Sequence, residues 1–586
     1  MQVLTRPQAG KSPRSPLLSS SGKRTVWSII VSLNILGMLL SVDAGTYVTT
    51  MLRLRTVTQA APSNTAVTTY KKDLLRTGQN TNEIILNTSN ANQKQFGKRV
   101  EYEVDGQVYA QPLYLPNVNI GSTAHNVVFV ATEHDSLYAF DADQSSSTPI
   151  STFLWKRSFI DPLRNITTVS SSDVNCQDIN PEYGITSTPV IDPSTNTLYV
   201  VVNTLQSGVN TYQLHAIDLT TGNDQTGSPM LIQASVQGSS GAVTFDPVKQ
   251  LNRGGLLLLN GVVYIDWGSH CDKHPYHGWI MGYSTTNYKQ LTVFNDTSNQ
   301  DGGGIWQAGQ GIAADSSGNI YVMTGDGAFD ANTGGVDLSD TFIKLSTQGG
   351  LQVADYFAPF NQSCLEAEDN DLGSGGPVLL PTSHEMVGVG KEGRIYVVSR
   401  DNLGRYTPDP NLNCSTAEEN RTDIDRIVQE LPPYTANGGV WSSPSYWNGP
   451  SGEFVYIVGK KDHVKAFQLS NGRLSTSATS QSPESFGFPG GDVAISSNGS
   501  IAGTGIAWTI GPDAVLYAYD ATNLGTELYN SSQNASRDGL PSYTKFSVPT
   551  IANGEVFVGS QSTLDIYGLL STTTGPVLSR LGQTGV

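Results

Sequence analysis

The chain has little charge, histidine or cysteine, and each scarcity narrows its function. Charged residues make up 15% of 586, too few for a disordered or highly basic protein. Acidic residues outnumber basic ones by 51 to 34, a formal net charge of −17. A nucleic-acid partner is thereby excluded, because phosphates need a basic surface. The acidity itself reads as a solvated, soluble surface. No Gly-x-Ser-x-Gly elbow, Walker loop or His-Glu-x-x-His motif occurs. The four cysteines (Cys176, Cys271, Cys364 and Cys414) form no Cys-x-x-Cys or Cys-x-x-Cys-His. Neither a zinc ribbon nor an attached c-type haem is supported. Long amphipathic helical patterns are missing as well.

What the chain has instead is a repeat. Residues 126–141, NVVFVATEHDSLYAFD, read as two short strands around a polar turn. The unit returns at 197–222, 261–284, 319–346, 386–401, 454–472 and 501–521, and ends in EVFVGSQSTLDIYG at 555–568. Each copy follows a short apolar strand after a Gly, Ser or Pro cluster, such as AQPLYL, TSTPVID or FSVPTIANG. Roughly 50–75 residues separate successive first strands, near the spacing of propeller blades. A small sheet cannot bury both faces alone, so it stacks on neighbours. The expectation is an all-β, eight-bladed β-propeller over residues 70–570. β-Sandwich domains are the competing architecture, but they would not repeat one sub-pattern eight times. RVEYEVDG (99–106) precedes the first blade and is expected to complete the sheet that holds 555–568, closing the ring.

The N-terminus differs. Residues 1–25 form a basic arm, and 26–44 hold an uncharged apolar run, VWSIIVSLNILGMLLSV, followed by Asp43-Ala44. This segment is expected to be a cleaved signal peptide or a retained anchor. The propeller is then exported, either secreted or held at the outer face of the cytoplasmic membrane. Residues 45–69 read as a linker and 571–586 as a tail. Export permits disulfides. Pairing Cys176 with Cys271 and Cys364 with Cys414 would join neighbouring blades, although spacing does not fix the connectivity.

From about Tyr70 to Gly568 the chain resembles the pyrroloquinoline-quinone (PQQ) repeat propellers. The resemblance rests on RTGQN, on repeats of the form VYVG…G.LYA.D..TG, and on the closing FSVPTIANGEVFVG. That superfamily includes quinoprotein alcohol dehydrogenases and non-catalytic scaffolds. The resemblance implies PQQ and calcium on the propeller axis. Within GGGIWQAGQGIAADSSGNIYVMTGDG (302–327), Trp306 takes the place of the tryptophan floor under the cofactor. Asp326 takes the place of an Asn calcium ligand. In KEGRIYVVSRDN, Lys391 takes the place of the cation that bonds the quinone oxygen. Cys271 or Asp272 stands nearest the position of the calcium-binding Glu, and Asp337 or Asp340 nearest the catalytic Asp. The pair of adjacent cysteines found in the alcohol-type enzymes is absent.

Two further loops stand out. Residues 266–279, DWGSHCDKHPYHGW, crowd His270, Cys271, Asp272, His274 and His277 together, a polar funnel loop or a metal loop. EAEDND (366–371) is an acidic loop, solvated or calcium-binding. Two functions follow. One is an exported binding or scaffold propeller that takes a small ligand or a protein partner at its central funnel. The alternative is a PQQ- and calcium-dependent dehydrogenase of small alcohols, polyols or sugars. Trp306, Asp326 and Lys391 favour the second. The missing cysteine pair, the missing Glu and the displaced Asp favour the first. A propeller glycosidase would need two carboxylates facing each other on the axis.

Overall fold

A computed structural model describes residues 65–415 and 421–570. The basic arm, the apolar run, most of the linker and the tail lie outside the described residues. Among the described residues no helix is long and apolar enough to cross a membrane.

Eight sheets of four to six strands form an eight-bladed β-propeller, with one extra hairpin, Ser235–Gly238 with Gly241–Thr244. Blade one shows why the repeat folds this way. It runs Leu113–Ile120, Thr123–Thr132, Ser136–Asp141 and Trp155–Ser158, each strand antiparallel to the next. Val127 to Ala131 are all buried, because a blade packs against a neighbour on each face. Polar alternation is therefore lost in the central strands. Apolar clusters fill the seams in turn. One spans blades eight, one and two, and six more join each later pair. The chain of seams has no open end, so no sheet face is left uncovered.

Two N-terminal segments close the ring. Phe96–Glu103 is the outer strand of blade eight, paired with Thr563–Leu569, which pairs in turn with Glu555–Gly559. The expected strand at 99–106 is thus present but begins earlier. Phe96 extends it by packing on Trp508 and Tyr529 in the seam between blades seven and eight.

The second segment, 67–80, forms a clasp around the axis. Its carbonyls accept hydrogen bonds from the first strands of six of the eight blades. Val67 O takes Tyr114 N–H, Thr68 O takes Ile191, Leu74 O takes Ala314, Leu75 O takes Leu379, Thr77 O takes Tyr446, and Gly78 O takes Ile495. Arg76 donates to Ile312 O at the entry to blade four, and Asn80 Nδ2 to Ile551 O in blade eight. The RTGQN stretch is therefore a structural clasp, and the ring begins at Val67, ahead of the expected Tyr70.

Many carboxylates are buried away from cations, and this sets the pH response. Burial raises Glu133 to about 7, Asp266 to about 8 and Asp296 to about 7. Between about pH 4 and these values the folded chain holds protons that the unfolded chain has released. In that window stability falls as pH rises. Burial pushes His270 down to about 3, which acts in the opposite sense as pH climbs towards its unfolded value. His277 is pushed down by burial as well, and the two histidines are outweighed by the carboxylates. The denaturation midpoint is expected to decline from about pH 5 to about pH 9. A flat or rising midpoint over that range would contradict the assignment.

Candidate functional site

The crossovers and turns at one end of the ring surround a cavity of about 190 Å³. Its wall draws on seven blades. Asp178 comes from blade two, Asp272 from three, Lys391 from five, and Trp441, Phe488 and Phe546 from the crossovers into six, seven and eight. Trp306 comes from the crossover into blade four.

Trp306 is half-buried and follows Gly302, Gly303 and Gly304, all at positive φ. The buried Asp296 carboxylate fixes this bend by accepting from Gly278 N at 2.7 Å and Gly304 N at 3.2 Å. A Cβ on Gly268 would lie 3.0 Å from the indole, so glycine lets the ring lie this close to the blade-three strand without being displaced.

Lys391 sits in the turn between Glu385–Val389 and Ile395–Ser399. Its Nζ lies 2.5 Å from Asp369 and 2.7 Å from Asp371. Burial opposes its charge, but Asp371 and Asp369 outweigh burial and hold the ammonium above its ordinary range. Asp371 Oδ1 also accepts from Asp326 N at 3.0 Å, and Tyr276 OH lies 3.3 Å from Asp326 Oδ1. Burial pushes Asp326 up to about 8, helped by its bond to Asp371 and by the charges of Asp371, Asp272 and Asp369. Oxygens of Asp326, Asp369 and Asp371 lie within 4.8 Å of one another. Calcium takes carboxylate oxygens at about 2.4 Å, so two of its ligands can be up to about 4.8 Å apart. The trio fits a hard cation in both chemistry and spacing.

Asp272 lines the cavity but lies outside that trio. Its Oδ1 accepts from Ser269 Oγ at 2.6 Å, and burial raises its pKa. Asp337 and Asp340 do not line the cavity. Asp337 accepts from Asn299 N and Gln300 Nε2, tying two loops together. Asp340 is buried and accepts from Leu372 N. Both carboxylates act as loop braces.

The histidines of the 266–279 loop scatter. His270 packs edge-on against Tyr183, His274 pairs with Asp301, and His277 meets Thr297. None joins a group spaced to hold a metal among the described residues. Cys271 is bonded to Cys176, and Cys364 to Cys414. The first bridge ties the blade-two and blade-three loops that carry Asp178 and Asp272.

Sequence reading missed Asp369 and Asp371 as partners of Lys391, although EAEDND was visible as an acidic loop. It also missed Trp441, Phe488 and Phe546. Like Trp306, each stands shortly before the first strand of a repeat. That shared position is a signal available from sequence.

No protein-family model matches the chain, and no curated protein matches it. Solved structures do. The quinohemoprotein alcohol dehydrogenase of Comamonas testosteroni aligns with a TM-score of 0.56 at 14% identity, covering 90% of this chain and 83% of that one. A quinohemoprotein alcohol dehydrogenase of Pseudomonas putida HK5 gives 0.55 at 14%, covering 88% and 82%. A europium-containing methanol dehydrogenase gives 0.53 at 11%, covering 87% and 99%. At such identities the likeness establishes the fold alone.

Proposed function

We propose that the axial cavity holds a flat anionic quinone of the PQQ type beside calcium, and that the protein oxidises small alcohols, polyols or sugars. The observation that supports this most is convergence. Trp306, Asp272 and Lys391 come from three separate repeats and line one cavity, with Asp326 joined to it through Asp371. Bound there, the quinone would supply a two-electron acceptor and calcium a Lewis acid. Trp306 offers a stacking face. Asp326, Asp369 and Asp371 would hold the cation, and Lys391 would turn from these carboxylates to donate to an oxygen at the ligand's edge. Asp272 replaces Asp337 and Asp340 as the proton acceptor. Its Oδ1 is held by Ser269, which leaves Oδ2 for a bound hydroxyl.

The second reading, a binding propeller without redox chemistry, draws on the same lysine. The Lys391 ammonium is already satisfied by two carboxylates. Titration with PQQ, with and without calcium, separates the two readings. Quenching of tryptophan fluorescence and dye-linked oxidation are the readouts. Calcium-dependent quenching, weakened several-fold in Trp306→Ala, is the expected result. Absence of binding by the unaltered protein with calcium present would leave the binding reading.

A further inference from the structure

Among the described residues, one charge in the axial cavity has no ion-pair partner. Arg253 is 4% exposed and lines the cavity. Its guanidinium makes no ion pair among the described residues, and its buried Nη2 has no hydrogen-bond acceptor. Such a group is costly to bury and is normally paired. The other buried arginines illustrate the contrast. Arg394 is bonded to Glu392 and Glu430, and Arg76 to a set of backbone carbonyls.

The surroundings of Arg253 offer its guanidinium aromatic faces rather than an ion pair. Its Cζ lies 4.5 Å from the centre of the Phe546 ring and 5.4 Å from that of Tyr109. Aromatic faces attract a guanidinium but accept no conventional hydrogen bond from it. The carboxylates whose fields reach it, Glu133 and Asp492, form no ion pair with it, although Glu133 Oε1 is itself buried without a hydrogen-bond partner. Glu133 takes Gly184 N and the Thr186 hydroxyl, and Asp492 takes Lys71. A second cation, Lys545, lies 5.8 Å from the same Phe546 ring and donates to Asp178 O, with no ion pair of its own among the described residues. This part of the wall thus has two cations that form no ion pair among the described residues, with Asp178 the carboxylate whose field reaches Lys545. The trio around Lys391 has the opposite excess.

We infer that Arg253 is an anion-binding residue of the axial cavity, taking a carboxylate of a flat ligand through its planar fork while Lys545 adds to the positive field. The inference rests on the reading of this cavity as the ligand site, and it adds that the ligand is a carboxylate. A guanidinium offers two parallel N–H donors to a carboxylate, which a lysine cannot match. A neutral planar compound offers the fork at most uncharged acceptors and is expected to bind more weakly.

The test uses 2-naphthoate and its neutral isostere 2-naphthamide as probes, in EDTA, with calorimetry and tryptophan fluorescence as readouts. The unaltered protein is expected to bind the carboxylate at least tenfold more tightly than the amide, a step typical of one charge-assisted contact. Arg253→Met is expected to erase that preference, and Arg253→Lys to keep only part of it. Without ligand, Arg253→Met should melt no lower than the unaltered protein, since it removes an unpaired buried charge. A purely structural arginine would instead lower the melting point and leave the preference intact. Equal affinity of the unaltered protein for the two probes, or a preference retained in Arg253→Met, overturns the inference. Should Arg253→Met fail to fold, a full preference in Arg253→Lys overturns it and a reduced one supports it. PQQ failing to bind while the naphthoate preference holds would defeat only the cofactor reading. PQQ binding undiminished by Arg253→Met would defeat only the present inference.

Discussion

Replacing Lys391 with methionine is expected to weaken PQQ binding by roughly 10- to 150-fold and to make folding stability depend more strongly on calcium than it does in the parent. The first effect follows from a lost charge-assisted hydrogen bond, worth about 1.5–3 kcal/mol. The second follows from the acids left behind. Lys391 Nζ bridges Asp369 and Asp371, and Asp371 in turn binds Asp326 N. With the ammonium gone, Asp371 (its side chain 11% exposed) has no cation beside it. The crowded carboxylates then repel or take up protons. Added calcium supplies the missing charge, so the variant should melt lower than the parent in EDTA and recover when calcium is restored. Two readouts are needed because a lysine serving only the local fold would move the melting point without touching PQQ affinity. A melting point unchanged in EDTA would show that the ammonium does not neutralise the cluster. Unchanged PQQ affinity would remove Lys391 from the site.

The ring was legible because its signal is redundant. Eight copies of one strand–turn–strand pattern leave little doubt about architecture, even when a single copy such as 501–521 is loose. Trp306, Lys391 and Asp272 were legible as candidates because turn and crossover residues keep fixed places in each repeat. What sequence could not give was the approach of separate turns across the axis. Asp371 and Lys391 are close in the chain, yet nothing local brings the 366–371 loop onto the 391 turn. Arg253 was invisible for another reason. An NRGG stretch does not reveal whether its arginine finds a carboxylate, and only the packed ring shows that it does not. Asp337 and Asp340, the expected catalytic candidates, do not line the axial cavity, because distance from a motif does not fix direction. The 327–341 loop folds back so that these carboxylates cap backbone N–H groups of neighbouring loops.

The clasp carries the largest expected effect on stability. Lys71 and Asp492 form an ion pair at 3.1 Å with side chains 0% and 1% exposed. Burial pushes Lys71 down and Asp492 up, and each charge is the strongest force opposing that shift in the other. Lys71 Nζ further donates to Ser443 O at 2.7 Å and to Ser445 Oγ at 3.1 Å, which fastens the clasp to the entry of blade six. Asp492 lies just before the first strand of blade seven and accepts from Ser443 N at 3.2 Å. Lys71→Met keeps most of the bulk but strands a carboxylate in the interior. The expected loss is about 3–5 kcal/mol, read as a shift in the urea midpoint. Lys71→Met combined with Asp492→Leu should recover much of it, because the cost lies in the unpaired charge rather than in the missing attraction. Deleting residues 1–44 should leave the midpoint unchanged, since the clasp begins at Val67. Deleting residues 1–80 should prevent folding, because the first strands lose the carbonyls that hold them around the axis. A single variant that loses less than about 1 kcal/mol would mean that water or a neighbouring donor satisfies Asp492 without the lysine, and the clasp would then be held by its backbone alone.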